Sequence, residues 1–129
     1  MSTEPLVPRA HGAETVAVHT AQDLGAMGVR ETADHRLQGD EIERLLTLLD
    51  GWRVNDGVLQ RTFSFPDYHA TMAFVNAVAW IAHRGDHHPD LQVGYNRCTV
   101  HWSTHSAGGL TLKDLICAAQ VDALQCPKA

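Results

Sequence analysis

The tripeptide Asn55-Asp56-Gly57 constrains the fold more than any other feature of the chain. It lies between Trp52-x-Val54 and a run in which Leu59, Arg61, Phe63 and Phe65 alternate with Gln60, Thr62 and Ser64. Asp-Gly supplies the positive φ angles of a two-residue turn, and a period of two specifies strands with one mainly apolar face, so the segment predicts a β-hairpin broken at Pro66. A one-sided hairpin has to be covered, and helical periodicity flanks it on both sides. Upstream, Asp40-x-x-Glu43 has the form of a capping box ahead of Ile42, Leu45, Leu46 and Leu49, predicting a helix of about ten residues that ends at Gly51. Downstream, Asp67 is placed to cap a helix in which Thr71, Phe74, Val78 and Ile81 form one stripe, broadened by Met72, Val75, Ala79 and Ala82. Gly85 marks its end.

The same grammar then repeats. Leu91, Val93 and Tyr95 alternate as a third strand, and Cys98, Val100 and Trp102 as a fourth, with Gly94 and Asn96-Arg97 at the bend between them. Gly108-Gly109 closes the fourth strand, and Thr111-x-x-Asp114 opens a third helix carrying Leu112, Leu115, Ile116 and Ala119. Helix, two strands, helix, two strands, helix, joined by short connections, predicts an α+β fold with an antiparallel sheet. Helices on one face leave the other face and the sheet edges open, which predicts a homo-oligomer. Residues 1–38 hold no apolar period for three turns and read as an extension, partly ordered or flexible, ahead of a domain over 39–129.

At 129 residues the chain accommodates one core and one site. A hydrophobic fraction of 44% with 19% charged residues is that of a folded globular protein. The net charge of -5 and the ten unclustered Lys+Arg supply no field for nucleic acid or anionic lipid. With neither a signal-peptide pattern nor about 18 continuous apolar residues, the expectation is a cytoplasmic protein that does not contact membrane. Cys98, Cys117 and Cys126 are odd in number and lack CxxC spacing, which predicts free thiols, with Cys98 and Cys117 as small core residues.

Candidate chemistry concentrates in imidazoles. His87-His88-Pro89-Asp90 follows the second helix, where Pro89 forces the residues before it out of helical geometry, and Thr104-His105 ends the fourth strand. Nine histidines in a chain of this length place one adjacent pair by chance on the order of half the time, so the weight rests on context. His87, His88 and His105 sit at the ends of consecutive elements and could meet at one rim of the sheet, where imidazoles can move protons near neutral pH. The plainer readings stay open: His88 as a surface loop residue, His105 as a hydrogen-bonded strand end. Asp114 also reads two ways, as the carboxylate of a first-turn capping box or as the orienting partner of a histidine. His83 and His87, four apart, could join His105 in a zinc sphere, but Gly85 interrupts the helix between them and no HExxH or cysteine set is present, so no metal is expected. GxSxG, GxGxxG and GxxxxGK[ST] motifs are absent, which removes the matching serine-nucleophile and phosphate-loop chemistries.

In this order, His83-x3-His87-His88-Pro89, Tyr95, Thr104-His105, a Gly-containing turn and Asp114 resemble the pterin-4a-carbinolamine dehydratases. Trp52, Leu59-x-Arg61-x-Phe63-x-Phe65 and Phe74-Val75-Asn76-Ala77-Val78-Ala79 share the resemblance, which extends over residues 40 to about 125. It implies a four-stranded antiparallel sheet with three helices packed on one face (α-β-β-α-β-β-α), and association into homodimers or homotetramers. The implied activity is loss of water from a 4a-hydroxytetrahydropterin to give quinonoid dihydropterin, with no cofactor. The implied partners are a small-molecule pterin and, functionally, an aromatic amino-acid hydroxylase.

Carried over residue by residue, the family's active-site histidines fall on His87, His88 and His105 and its active-site aspartate on Asp114, with Asp114, His83 and Thr104 expected to bind the substrate. His87 and His105 are expected to do the acid-base work and His88 to hold the pterin. The chain departs from the resemblance at His83, where many relatives carry glutamate, and at Leu91, where many carry tryptophan. Relatives of this fold also act without catalysis, as a dimerisation partner of a transcription factor or an assembly factor for a carbon-fixing enzyme. Retention of all three histidines favours the enzyme.

Overall fold

Asp56 and Gly57 both take positive φ, 52° and 75°, which is the geometry a two-residue hairpin turn requires. The computed structural model describes residues 6–8 and 15–124. In chain order its elements are β1 (Leu6–Pro8), β2 (Thr15–Ala17), α1 (Ala21–Gly25), α2 (Gly39–Leu46), β3 (Arg53–Asn55), β4 (Val58–Ser64), α3 (Tyr68–Gly85), β5 (Asp90–Val93), β6 (Arg97–Trp102) and α4 (Leu112–Asp122), with one 3-10 turn over His105–Ala107. The Asp56-Gly57 turn joins β3 to β4 with Asn55 opposite Val58. From α2 onward the order is the expected α-β-β-α-β-β-α. The four strands form one antiparallel sheet in the order β3-β4-β6-β5, while β1 and β2 pair separately.

The register of the central pair decides what the helices cover. Leu59 lies opposite Trp102, Arg61 opposite Val100 and Phe63 opposite Cys98. Because side chains alternate across a sheet, these residues share the helix-facing side. Leu59, Cys98, Val100 and Trp102 are fully buried there with Phe65 and Phe74, in the same cluster as Leu45 and Leu49 of the α2 region and Leu115 and Ile116 of α4. Phe63, Phe65 and Phe74 pack with centroids 4.7 and 5.0 Å apart, tilted near 40°. The other face is polar, with the Thr62 and Thr99 hydroxyls bonded across it at 2.8 Å.

The helices form largely where their caps place them. Asp67 Oδ1 accepts from the Ala70 N–H at 2.8 Å, and α3 buries Thr71, Phe74, Val78 and Ile81, with Ala79 left outside. The helix expected from Asp40, α2, is shifted from the expected register. It begins at Gly39, and the Glu41 carboxylate, not that of Glu43, reaches back to the Gln38 N–H at 2.9 Å. Two acidic residues stood within reach of one helix start, and the backbone used the one three residues beyond Gln38. The helix also gives way after Leu46 to successive turns that reach Gly51 at φ 88°.

α4 is buried nearly all round: Leu112, Asp114, Leu115, Ile116, Cys117, Ala118, Ala119 and Val121 are all covered. A helix of this kind needs cover on two sides. The sheet and α3 supply one, and residues 18–37 supply the other, placing Val18, Leu24, Met27, Val29 and Leu37 in the same core cluster. The Gln120 amide fastens the second side, donating to the carbonyls of Gly25 at 3.1 Å and Met27 at 3.5 Å.

Cys98 and Cys117 are free and buried, as expected of core residues, and burial pushes their thiols up to about 11 and about 12. Cys126 lies outside the described residues. No helix among the described residues is long and apolar enough to cross a membrane.

Arg61, a cation in an otherwise apolar alternation, has a local explanation. Its guanidinium donates to Asp122 Oδ1 and to the Asp50 carbonyl, each at 3.0 Å, and lies 4.6 Å from the Phe63 ring centroid. The Trp52 indole N–H reaches the same Asp122 carboxylate at 2.9 Å, so one acidic side chain joins the end of α4 to the β3–β4 hairpin.

Two outcomes follow for stability. Gly57→Ala meets no steric obstacle but must hold φ at 75°, and it should cost about 1 kcal/mol in urea unfolding; an unchanged midpoint would contradict the turn assignment. Burial pushes the Asp122 carboxyl above its ordinary 3.8, against the opposing pull of Trp52 and Arg61. The folded chain therefore holds this proton more tightly than the unfolded chain, a contribution present in full below pH 3.8 and lost as pH rises through the raised value. Across that window wild type should lose stability relative to Asp122→Asn, and a pH-independent difference between the two would contradict the assignment.

Candidate active site

The site is built where the end of α3 meets the start of α4. α3 stops in a left-handed residue, Asp86 at φ 49°, a conformation that a short polar side chain tolerates. The Asp86 N–H bonds the His83 carbonyl at 3.3 Å, and the His87 N–H reaches the Ala82 carbonyl at 3.1 Å. This pair of bonds is a Schellman motif, and it fixes the backbone of His87 to the last turn of the helix. On the other side, β6 ends at Trp102, Thr104 bridges to Gly109, and Thr111 caps α4.

Asp114, three residues into that helix start, is fully buried. Its Oδ2 accepts from the Thr111 N–H at 3.0 Å and from the Thr104 hydroxyl at 2.7 Å, while Oδ1 meets His87 Nε2 at 2.6 Å. The Thr104 hydroxyl, having donated to Asp114, accepts from Thr111 Oγ1 at 2.9 Å. The two readings of Asp114 therefore coincide, because one oxygen completes the capping box and the other holds a histidine. Its negative charge also sits at the positive end of the α4 dipole.

An ionised carboxylate only accepts, so Nε2 of His87 is the donor in the 2.6 Å bond and, in the neutral ring, Nδ1 carries the free lone pair. Nδ1 makes no hydrogen bond among the described residues, and the His87 side chain keeps 13% of its surface open. On one face the imidazole lies parallel to Trp102, with ring centroids 5.6 Å apart and planes 10° from parallel. The Trp102 indole N–H is buried and finds no partner among the described residues. A ring held at one nitrogen, stacked on a wall and unbonded at the other nitrogen is arranged to take up and release a proton through that second nitrogen.

His87, Thr104 and Asp114 are thus brought into direct contact. His88 follows His87 in the loop, and His105 follows Thr104 in the 3-10 turn; both are exposed. His83 is also exposed and rests against Trp80, with centroids 5.7 Å apart, on the flank of α3. Tyr95 lies elsewhere, stacked at 6.3 Å on Tyr68 at the opposite end of α3. Among the described residues no group of three His, Cys, Asp or Glu side chains is arranged to hold a metal ion.

Trp102 was legible only as a core residue of an alternating strand. Its position two residues before Thr104 is the one sequence signal that links it to the site. Thr111 was legible as a helix start, and its bond to Thr104 gives it a further part in fixing Asp114.

The sequence profile described as Pterin 4 alpha carbinolamine dehydratase matches residues 35–124, which span every residue of this site. The chain is 56% identical over 89 residues to a Nitrosomonas eutropha protein whose name places it in that family, covering 68% of this chain and 79% of the relative. A Stenotrophomonas maltophilia protein named in the same way is 55% identical over 97 residues, covering 74% and 84%. Among solved structures, one described as a transcriptional coactivator/pterin dehydratase from Brucella melitensis superposes with a TM-score of 0.67 at 35% identity, covering 69% of this chain and 97% of that one. With its sheet, helices and matched region in agreement, the chain belongs to the pterin 4 alpha carbinolamine dehydratase family.

Proposed function

We propose that the protein removes water from 4a-hydroxytetrahydropterins to give quinonoid dihydropterins. The observation that carries this reading is the His87–Asp114–Thr104 chain, with its 2.6 and 2.7 Å bonds, which leaves Nδ1 of His87 without a hydrogen bond among the described residues.

In the proposed reaction the C4a–O bond breaks and the C4a=N5 bond forms. The departing hydroxyl needs a proton to leave as water, and the N5–H must give its proton up. One imidazolium and one neutral imidazole satisfy both demands and exchange protonation states, so protons balance without another reactant. His87 and His105 take the acid and base roles, and His88 holds the pterin. Asp114 keeps His87 in the tautomer that leaves Nδ1 free, as a buried carboxylate does in other histidine sites. Thr104 keeps Asp114 in place. His83, on the open flank of α3, changes the charge presented to the substrate.

An oligomeric state accompanies this reading. β5 is an edge strand with Val93 45% exposed, and Trp80 on α3 is 62% exposed, an arrangement that favours pairing between copies of the chain. Light scattering on the purified chain should give a mass well above the 14.1 kDa of one copy; a monomer at working concentration would remove this part of the proposal.

Activity is tested by generating the 4a-hydroxytetrahydropterin enzymatically and following its dehydration by ultraviolet absorbance. Wild type should exceed the spontaneous rate, and His87→Ala should lower turnover by about 10²- to 10⁴-fold. Asp114→Asn should act in the same direction, because an amide in the same position no longer fixes the tautomer. Full turnover by His105→Ala would remove that residue from acid-base work. No acceleration by folded wild type would shift the reading to a binding role, such as the coactivator role named beside pterin dehydratase for the Brucella melitensis protein.

A further inference from the structure

We propose that Arg30, which lies before the region matched by the family profile, is a positioning residue for the His87–His88 loop; its effect on turnover rests on the function proposed above. The Schellman motif at the end of α3 satisfies the carbonyls of Ala82 and His83 but leaves that of Arg84. Arg30 fills the gap from outside the helix. Its Nε donates to the Arg84 carbonyl at 2.9 Å, and its terminal nitrogen reaches the His83 carbonyl at 3.4 Å. A cation at this point also meets the negative end of the α3 dipole.

Three further observations show that Arg30 is held in place. Val29, its buried neighbour, packs so closely on Gly85 that a Cβ there would lie 3.0 Å from the Val29 Cβ. The Thr32 hydroxyl bonds the Gly28 carbonyl at 2.7 Å, closing the turn that presents Arg30. The same segment is anchored to α4 through Gln120 and, further along, through the Leu37 N–H bond to the Leu110 carbonyl at 2.9 Å. α3 supplies His87 and α4 supplies Asp114, so residues 18–37 tie together the two helices whose relative placement sets the His87–Asp114 bond. Val29 against Gly85 and Arg30 on the Arg84 and His83 carbonyls grip the last turn of α3 two to four residues before His87, and of the two only Arg30 does so through hydrogen bonds.

The test compares full-length wild type with Arg30→Ala and Arg30→Lys. Backbone amide exchange of Asp86 and His87, whose N–H groups bond the last turn of α3, should rise about 10-fold or more in Arg30→Ala, with β4 and β6 unchanged. kcat should fall about 10-fold with KM within about twofold, because a displaced loop misplaces the proton-transfer group. Arg30→Lys offers a point charge in place of a fork and should fall between the two. Millimolar guanidinium chloride should restore part of the kcat of Arg30→Ala and none of that of Arg30→Lys, where the lysine stem fills the space. Wild-type exchange in the loop of Arg30→Ala, or an equal rise across the whole molecule, would overturn the proposal. If Arg30→Ala does not fold, the same exchange outcomes are read on Arg30→Lys. Because amide exchange needs no substrate, a wild type without dehydratase activity would sink the functional reading alone.

Discussion

The burial of the Asp114 carboxylate is the constraint on which the functional end of the molecule depends. An ionised carboxylate taken out of water without partners costs several kcal/mol, so its surroundings have to supply donors in fixed places. Here they come from three directions: the Thr111 backbone at the start of α4, the Thr104 hydroxyl at the exit of β6 and the His87 ring at the exit of α3. Each donor is rigid for a different local reason, and together they fix how these elements meet. The charge that organises the fold at this point is also the one that orients the imidazole. Loss of the carboxylate would therefore be felt as misplacement of a helix start as well as loss of a hydrogen bond.

Packing supports this polar centre from beneath. Trp102 forms the apolar wall on which the His87 ring lies, and it belongs to the same buried face as Leu59, Val100 and Cys98. Register in the β4–β6 pair thus reaches the site directly, since a slip of one residue would turn Trp102 to the polar side. At the far end of α4, Asp122 performs a related task in a partly buried setting, gathering Trp52 and Arg61. α4 is held by a carboxylate near each end, one aimed at the site and the other at the hairpin.

Much of the fold was legible because periodicity and turn chemistry agreed. Asp56-Gly57 and Asp67 each sit where their backbone demands placed them, and the alternation of Cys98, Val100 and Trp102 marks the central strand; at the end of α3 the left-handed residue is Asp86, while Gly85 stays helical and packs against Val29. The start of α2 is harder to read because Glu41 and Glu43 both offer a carboxylate for a capping box, and only the backbone path selects between them. Residues 18–37 were harder, since short apolar contacts from a chain without period carry no repeating signal. Their trace lay in another element: the unbroken apolar run Leu115-Ile116-Cys117-Ala118-Ala119 has more buried surface than one neighbouring layer can cover.

At the site, sequence by itself determined the chemical inventory and its local setting: imidazoles in the loops after α3 and β6, and a carboxylate at the third position of a helix start. Such features follow from neighbours in the chain, through caps, turns and the exclusion of helical geometry before Pro89. Tertiary structure alone decided that Asp114 serves His87, that Trp102 forms the wall beside it, that Tyr95 lies at the other end of α3 and that Arg30 closes the helix before His87. The physical reason is distance along the chain. Asp114 stands 27 residues from His87, and Arg30 stands 54 from the Arg84 carbonyl it caps, so only the packing of helices on a sheet of fixed register brings these groups within hydrogen-bond reach.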